Sequence, residues 1–519
     1  MHETACQPLR HFSAWIRQTD DHPASRLLLV EQAERLLPKH DRSGVEERRG
    51  LAVKLERWRY HHLSHRAGRL VPEDWALLDA LDLAANQLAG RAPRPPRRAR
   101  TAVQDASIDD AATAEARDCL DRRSDLEAIV ARAAALTCEH FGPSAGAERA
   151  ASTQYAVRST RHPVDTTEYS VLSTQYSVLS TQYSVPNTQH SMLSPQDSAL
   201  GAQDSARSAQ RIPSQPPSLR RWRILLYAPL YLSNYCINHC RYCGFRHPNP
   251  IPRKHLTQEE ALREAEVLYD RGFRHILLVA GDFPRRTTTD YYCQVLRALK
   301  TRGIAPAIEI APQTTDDYAA LASAGACGVT LYQETYAEEL YALYHPRGSK
   351  VAYDWRLEGL ERAAEAGVAR LGLGILLGLA DPREDLIPLI RHGRYLAGRF
   401  PDRALAFSLP RIHDTPSGFQ VPFPVDDETF VRMCCALRIA FPQAELLLST
   451  REPADLRNRL AEICITQMSA GSCTSPGGYE ETGEPRAGQQ FPVADHRSPA
   501  EVAAWLREEG FEVVWSIPG

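Results

Sequence analysis

Apolar residues in the second half of the chain recur in short runs that alternate with amphipathic segments. One run, Ile276–Ala280, follows a segment with apolar residues at every third or fourth position between 261 and 269. Thr257 and Glu260 precede that segment at the spacing of a capping box, which predicts the start of a helix. Further predicted strands are Ile224–Leu232, Ala307–Ile310, Gly328–Tyr332, Leu371–Leu376, Leu405–Ser408 and Leu446–Ser449, with helices between them, for example at 317–324 and 355–366. Strands and helices in this alternation predict a parallel sheet, and their number favours a closed α/β barrel.

The first part of the chain has a different pattern, in which apolar residues recur at helical spacing among charged ones. A stripe of leucines between 77 and 88 is an example, so residues 1–95 are predicted to form a helical N-terminal region. The stretch 91–100 is rich in Pro and Arg and indicates a linker. Residues 96–141 are therefore expected to contain linker followed by helix.

Residues 142–218 interrupt both patterns. They are rich in Ser, Gln and Thr and contain a seven-residue repeat, first seen at Ser173–Leu179. A seven-residue period can indicate a coiled coil, but this repeat is β-branched, rich in hydroxyl groups and without the charges that flank a coiled-coil seam. Such a composition cannot bury enough apolar area to offset the entropy of ordering it. The segment is predicted to be a long disordered insert, and residues 219–519 to form the barrel with a C-terminal extension.

Charge and composition exclude several classes of function. The chain has 61 Lys and Arg against 64 Asp and Glu, a net charge of -3, which does not attract nucleic acid in general. The N-terminus has an early acid, Glu3, and no apolar run typical of a signal peptide. The longest apolar run, Ile224–Leu232, is too short to span a bilayer and contains Pro229. We therefore expect a cytoplasmic protein with no nucleic-acid and no membrane partner.

Three of the twelve cysteines, Cys236, Cys240 and Cys243, stand close together directly after a predicted strand. Three thiolates on one tight loop can bind three irons of a [4Fe–4S] cluster and leave the fourth iron open for a small molecule. A zinc site is the alternative, with His239 or His247 as fourth ligand, although structural zinc sites often use two separated pairs of ligands.

The cysteine triad, with an aromatic residue before its last cysteine, resembles the radical S-adenosylmethionine (SAM) superfamily. The longer string Leu226–Phe245 resembles the aromatic amino-acid lyases of that superfamily, most of all the 2-iminoacetate synthases, which are the tyrosine lyases of thiamin thiazole biosynthesis. Matching strings further along the chain are Tyr332–Tyr336, Ser449–Glu452, Ser469–Ser472 and Pro476–Tyr479. The resemblance is dense from about 220 to 517 and weaker at 12–15 and 135–142, which makes the repeat an insertion.

The resemblance implies an α/β radical SAM barrel of the TIM type with a [4Fe–4S] cluster and SAM as cofactors. The open iron would chelate SAM, and an electron would cleave it to methionine and a 5′-deoxyadenosyl radical that takes hydrogen from L-tyrosine. Cleavage of the Cα–Cβ bond would release 2-iminoacetate (dehydroglycine) and p-cresol. An electron donor such as flavodoxin or ferredoxin is an implied partner, and a thiazole synthase is a further candidate.

Site candidates collect at the predicted carboxyl ends of the strands, where barrels of this type have their active sites. The predicted cluster ligands are Cys236, Cys240 and Cys243, and the resemblance implies SAM-binding roles for Tyr242, Gly281, Asp282, Glu309, Glu334 and Gly374. Arg451 and Ser469 are predicted to hold the substrate carboxylate, because a guanidinium grips it at two points and a hydroxyl adds one bond. The alternative for Arg451 is a salt bridge to Glu452 or Asp455. Arg411 is a further substrate-binding candidate, with a structural ion pair as its alternative.

Other functions stay open from sequence alone. A related lyase could act on tryptophan or another aromatic substrate. Tyrosine lyases that mature [FeFe]-hydrogenase carry a second C-terminal cysteine cluster, which is not expected here because no cysteine follows Cys473. An inactive barrel could serve as a scaffold for a thiazole synthase, although the intact triad argues against it. Residues 1–95 could also form a separate interaction module.

Overall fold

The computed structural model describes residues 9–20, 22–37, 44–67, 69–91, 98–143, 221–415, 417–480 and 488–517. These residues belong to one compact unit, built from 1–147 together with 220–519. The predicted disordered insert, 142–218, lies outside the described residues from position 144 onward. Its disorder therefore stays a prediction.

The second half of the chain forms a closed barrel of parallel strands. The sheet order is β2-β3-β4-β5-β6-β7-β8-β1, and β1 also pairs with β2, which closes the ring. The strands are β1 Arg223–Ser233, β2 His275–Ala280, β3 Ala305–Glu309, β4 Val329–Thr330, β5 Arg370–Gly374, β6 Ala404–Ser408, β7 Glu445–Leu448, β8 Gln467–Ser469 and β9 Glu512–Val514. The short β9, which the sequence pattern did not predict, pairs with β1 at Arg223–Leu225. The predicted α/β barrel is confirmed.

Helices connect the strands of the barrel. They are α8 Gln258–Asp270, α9 Thr289–Thr301, α10 Thr315–Ala324, α11 Glu338–Tyr344, α12 Tyr353–Leu357, α13 Gly359–Glu365, α14 Pro382–Arg399, α15 Asp427–Ala440, α16 Ala454–Ala461 and α17 Pro499–Glu508. The predicted capping box starts α8: the Thr257 hydroxyl accepts from the N–H of Glu260, whose carboxylate accepts from the N–H of Thr257. The single helix predicted at 355–366 is instead two helices, α12 and α13, which meet at Glu358.

The N-terminal part is helical, as predicted. Its helices are α1 Ser13–Thr19, α2 Pro23–Leu36, α3 Val45–His65, α4 Pro72–Leu88, α5 Arg98–Gln104, α6 Ala111–Cys119 and α7 Leu126–Phe141, with 3-10 turns at Leu9–Phe12 and Ala106–Ile108. The first four helices share an apolar core that includes Leu55, Trp58 and Leu81. None of the helices in the described ranges is long and apolar enough to cross a membrane.

Helix α3 packs against loops at the carboxyl ends of barrel strands. Arg59 makes a buried, two-point ion pair with Glu358, with nitrogen–oxygen distances of 2.6 and 2.9 Å. Leu63 joins Ala352 and Trp355 in a small apolar cluster between α3 and the loop that leads into α12. The N-terminal helices thus contact the end of the barrel where the site candidates lie.

Candidate active site

The loop 234–247, which carries the three cysteines, begins where β1 ends and is tied to two other strand ends. The N–H of Ile237 donates to the carbonyl of Asp282, just beyond β2, at 2.8 Å. The N–H of His239 donates to the carbonyl of Arg347, in the connection that follows β4, at 3.1 Å. The barrel therefore holds the loop over the carboxyl ends of its strands.

Asp282 contacts this loop through its side chain as well. The amide of Asn238 donates to the Asp282 carboxylate at 3.1 Å, and the Ser349 hydroxyl donates to the same oxygen. The side-chain Oδ1 of Asn238 accepts from the backbone N–H of Lys350 at 2.8 Å. Burial raises the pKa of Asp282. One side-chain network thus joins the cysteine loop, the end of β2 and the segment 349–350.

The three cysteines line one cavity of about 110 Å³. All three are free thiols, and Cys240 and Cys243 are buried. Burial raises the pKa of Cys236 and Cys240 to about 12 and that of Cys243 to about 11. Thiols in such surroundings lose their protons when they bind a metal, because the metal ion stabilises the thiolate.

Within the described residues, no three His, Cys, Asp or Glu side chains converge closely enough to hold a single metal ion. A [4Fe–4S] cluster does not require such convergence, since each thiolate binds a different iron. Three free thiols on one loop beside a common cavity fit that kind of cluster.

The cavity brings together four of the six residues predicted to bind SAM. Its walls contain Gly281, Asp282, Glu309 and Glu334 beside the cysteines. The other lining residues are Tyr60, Asn238, Phe245, Val279, Ala280, Ile310, Ala311, Pro312, Thr330, Tyr332, Ser349, Lys350, Ala352, Arg356 and Gln490. Apolar, acidic and basic groups therefore share one cavity, as is common in small-molecule sites.

Glu334 is the acid at the centre of a small charge network. Its carboxylate accepts from Lys350 Nζ at 2.5 Å and from Arg356 Nη2 at 3.2 Å, and Arg356 Nε donates to the carbonyl of Tyr332. Burial by itself would raise the pKa of Glu334, but the charges of Lys350 and Arg356 outweigh it and hold the pKa below its ordinary value. Glu334 is therefore an anion in the cavity wall, fixed in place by two cations.

Glu309, the last residue of β3, has a raised pKa, in contrast to the lowered pKa of Glu334. Burial raises its pKa to about 7, and the positive charge of Arg451 opposes that rise only in part. A carboxyl group of this kind can be neutral or charged near neutral pH, so it can donate or accept a hydrogen bond in the cavity.

Two predicted glycines allow close approach of other groups. A Cβ atom at Gly281 would lie 2.4 Å from the carbonyl oxygen of Tyr235, at the start of the cysteine loop. A Cβ atom at Gly374 would lie 2.4 Å from the carbonyl oxygen of Ser408 and 2.5 Å from the ring of Tyr332. Gly374 is not itself in the cavity wall, but it leaves space for the Tyr332 ring, which is.

Tyr242, predicted to lie against SAM, is buried beside the cavity and outside its lining. Its hydroxyl forms a hydrogen bond of 2.8 Å with His345 Nε2 and accepts from Lys350 Nζ at 3.1 Å. Its ring is nearly parallel to that of Phe491, with centroids 6.5 Å apart. These contacts position the cysteine loop, and a contact with SAM stays a prediction.

Arg451, which follows β7, and Ser469, the last residue of β8, are outside the lining of the cysteine cavity. The Arg451 guanidinium is 3.7 Å from the ring centroid of Phe491, and its Nη1 is buried without a hydrogen-bond partner among the described residues. The Ser469 hydroxyl accepts from the N–H of Thr450 at 3.1 Å. Arg451 thus keeps a donor for a ligand, whereas Ser469 already supports the end of β7.

Arg411 is engaged in an ion pair. Its Nε lies 3.1 Å from both carboxylate oxygens of Glu452, its Nη2 also contacts Glu452, and Asp427 is 2.9 Å away. The structure thus shows the ion pair that was the alternative for Arg411, and does not place Arg411 in the cavity wall. Glu452, considered as a partner for Arg451, is the partner of Arg411 instead.

Several cavity residues were not among the sequence candidates, notably Lys350 and Tyr60. Arg356 lies in a loop within the stretch that resembles the family, where a site role and a surface position were equally open from sequence, and the structure places it in the cavity wall. Lys350 has no local pattern that marks it, because its role depends on Glu334. Gln490, which was also not among the sequence candidates, lies beside the cysteine loop, with its side-chain amide nitrogen 3.8 Å from Cys243 Sγ.

Comparison with known families matches two models to the barrel half of the chain. The radical SAM superfamily model matches residues 230–392, and the biotin and thiamin synthesis associated domain model matches 408–512. The 2-iminoacetate synthase of Escherichia coli (strain K12) is 38% identical over 293 residues, which cover 56% of this chain and 77% of that protein. The 2-iminoacetate synthase of Salmonella typhimurium is 36% identical with the same coverage. Neither model reaches the N-terminal helices.

Solved structures of the [FeFe]-hydrogenase maturase HydG share the barrel. One is 36% identical with a TM-score of 0.54, and the match covers 56% of this chain and 65% of that one. A second, from Carboxydothermus hydrogenoformans, is 39% identical with a TM-score of 0.53, covering 56% and 68%. The chain thus spans slightly less than two thirds of the first maturase.

Proposed function

This chain belongs to the 2-iminoacetate synthase family of radical SAM enzymes, and from that premise we propose that it cleaves the Cα–Cβ bond of L-tyrosine. The products are 2-iminoacetate and p-cresol, with SAM converted to methionine and 5′-deoxyadenosine. The 2-iminoacetate serves the biosynthesis of the thiamin thiazole ring. This reaction makes the protein a carbon–carbon lyase.

As a radical SAM enzyme, the protein uses a [4Fe–4S] cluster and SAM. Cys236, Cys240 and Cys243 are the residues that hold the cluster. When bound, the cluster would deliver one electron from the donor to SAM, and the two would thereby supply a carbon-centred radical that can remove hydrogen from a substrate. The surrounding protein binds SAM, excludes water and orients the substrate, which limits side reactions of reactive species.

The residues of the cavity divide these tasks. Glu334, held by Lys350 and Arg356, presents carboxylate oxygens that can accept hydrogen bonds from the hydroxyl groups of SAM. Gly281 and Asp282, at the end of β2, present backbone and side-chain acceptors beside the cysteine loop, where a cationic amino group can bind. Glu309 can hold or release a proton near neutral pH because burial raises its pKa to about 7.

One observation carries the assignment of an α-amino-acid substrate. Arg451 has a buried Nη1 without a hydrogen-bond partner among the described residues, and its guanidinium is held by the ring of Phe491. A buried N–H group with an unmade hydrogen bond is costly unless a ligand supplies the acceptor. The α-carboxylate of tyrosine matches it in charge and in planar geometry. Ser469 is a helper in the same role.

Partners and location follow from the same reaction. The cluster needs a one-electron donor such as flavodoxin or ferredoxin, and a thiazole synthase is the proposed recipient of 2-iminoacetate. Free thiols persist in a reducing compartment, and every cysteine of the described residues is free. We therefore place the protein in the cytoplasm.

The test is anaerobic turnover with each aromatic amino acid separately. The reconstituted protein, incubated with SAM, a reductant and tyrosine, should form p-cresol and 5′-deoxyadenosine together, and glyoxylate from hydrolysis of the imine. Cys240→Ala is the matched control and should form none of them. Turnover with tryptophan but not with tyrosine would contradict the assignment of tyrosine as substrate. Full activity of Cys240→Ala would contradict the assignment of the three cysteines as cluster ligands.

A further inference from the structure

Helix α3, which lies outside the matched family models, reaches the cofactor cavity through Tyr60. Among the described residues of the N-terminal helices, Tyr60 is the one that lines the cavity. The wall also contains the apolar residues Ile310, Ala311, Pro312 and Ala352, and Tyr60 packs against the apolar cluster that includes Ala352. The N-terminal region therefore completes an apolar part of the cavity wall.

The contacts on either side of Tyr60 hold α3 firmly in this position. Its ring lies 5.2 Å from that of Trp355, measured between centroids. The neighbouring Arg59 is paired with Glu358, and the side chains of both residues are almost fully buried, at 4% and 6% exposed. Leu63, one turn further along α3, packs in the cluster with Trp355. Tyr60 is thus fixed between an ion pair and an apolar contact.

The segment beneath α3 belongs to the cofactor site itself. Ala352 lies between the 3-10 turn Ser349–Val351, which carries Lys350, and α12, which contains both Trp355 and Arg356. Those two cations hold Glu334. Helix α3 therefore covers the same segment that supplies the charged wall of the cavity.

We propose that α3 is a cap over the SAM site and that Tyr60 contacts bound SAM. SAM carries an aromatic adenine ring and a sulfonium cation, and the ring of a tyrosine can bind the first by stacking or the second by cation–π attraction. A cap that adds a ring to the wall increases the buried surface of the ligand and slows its release. The proposal rests on SAM as the cofactor and is independent of the amino-acid substrate.

The test measures SAM binding to the reconstituted holoenzyme by anaerobic equilibrium dialysis, without tyrosine. Tyr60→Ala should raise the Kd for SAM about tenfold, since it removes an aromatic contact with the ligand. Tyr60→Phe keeps the ring and should stay within about twofold of wild type. Iron content, measured for each variant, should be unchanged because the cysteine loop is held by the end of β2 and by the connection that follows β4.

Leu63→Ala is the matched control for a merely structural role. It removes packing between α3 and Trp355, and Leu63 does not itself line the cavity, so it should lower the Tm and leave the Kd for SAM unchanged. Tyr60→Leu replaces the ring while keeping an apolar side chain, and it takes the place of Tyr60→Ala if that variant does not fold.

Two results would overturn the proposal. One is an unchanged Kd for SAM in a folded variant that lacks the ring. The other is a rise in Kd for Leu63→Ala equal to that for Tyr60→Ala, which would mean that Tyr60 acts only by holding the helix. Because tyrosine is absent from the assay, a failure of the lyase proposal would leave this measurement unaffected.

Discussion

At the scale of single residues, the backbone of Glu334 is held in an uncommon conformation. Its φ of 72° lies in the left-handed region, and it is the one non-glycine residue in the described ranges with a positive φ. Such conformations carry strain and persist where the surrounding structure fixes them, often at functional sites. The contacts of Glu334 with Lys350 and Arg356 supply that constraint. The strain therefore supports the assignment of Glu334 to the site.

Arg451 provides a prediction about substrate binding. Arg451→Lys should raise the KM for tyrosine about ten- to a hundredfold, because an ammonium group cannot reproduce the planar two-point contact and a charge-assisted hydrogen bond contributes about 1.5–3 kcal/mol. The Kd for SAM should change little. Steady-state kinetics and SAM binding on one preparation compare the two, with Arg302→Lys at a surface pair as control. Weaker SAM binding with unchanged tyrosine affinity would place Arg451 in the SAM pocket.

Asp385 provides a prediction about pH. Burial raises its pKa from 3.8 to about 7, while its Oδ1 accepts from the Thr335 hydroxyl and the N–H of Tyr336. Below about pH 4 the Asp385 carboxyl group is protonated in both the folded and the unfolded protein. As the pH rises to about 7, this group ionises freely only in the unfolded protein, so the free energy of unfolding falls.

Asp385→Asn keeps the accepting oxygen and does not titrate. Between pH 5 and 7 the Tm of Asp385→Asn should therefore rise relative to the Tm of the wild type. Above pH 7 the difference between the two Tm values should stay constant. Thermal unfolding across a pH series measures this, with the exposed Glu384→Gln as control. Parallel curves for Asp385→Asn and wild type would show that Asp385 does not carry the pH dependence.

At the scale of elements, the junction of β1, β2 and the cysteine loop depends on the absence of a side chain. Gly281→Ala would place a Cβ atom 2.4 Å from the carbonyl oxygen of Tyr235 and 3.2 Å from Cys236 Cβ, so the loop must move. We expect its iron content after reconstitution to fall below about half of the wild-type value, since a small displacement of a ligand loop strongly weakens metal binding.

Gly398→Ala, near the end of α14, is the matched control for Gly281→Ala. A Cβ atom there meets nothing within 4 Å, so iron content should stay at the wild-type level and the Tm should be equal or slightly higher. Iron assays and the absorbance of the cluster distinguish the two variants. Normal iron in Gly281→Ala would show that the junction tolerates a side chain.

At the scale of the whole molecule, the barrel and the N-terminal helices form one compact unit without the segment 148–219. The sequence of that segment offers no core, so deletion of 148–214 should leave the Tm and the turnover close to wild type. The free energy of closing a flexible loop changes by only ~0.6 kcal/mol for each doubling of the loop length. Thermal unfolding and p-cresol formation measure the outcome. A large fall in Tm would show that the segment packs against the rest of the protein.

The sequence by itself determined the barrel and the cysteine loop. Both depend on local patterns. Apolar residues recur with different periods in the alternating strands and helices, and Cys236, Cys240 and Cys243 are close together in the chain. The strand-end positions of Glu309 and Glu334 also followed, because parallel strands bring their carboxyl ends to one side of a barrel. The short β9 escaped prediction because three residues carry too little pattern, and it forms only by pairing with β1.

Only the tertiary structure decided which charged groups pair and which reach the cavity. Glu452 follows Arg451 in sequence, yet its partner is Arg411, because the turn after β7 directs the two neighbouring side chains to different surroundings. Arg59 and Glu358 meet across 299 positions, and the same docking of α3 carries Tyr60 to the cofactor cavity. Contacts of this range depend on how whole elements pack, and no periodicity or motif within a segment records them.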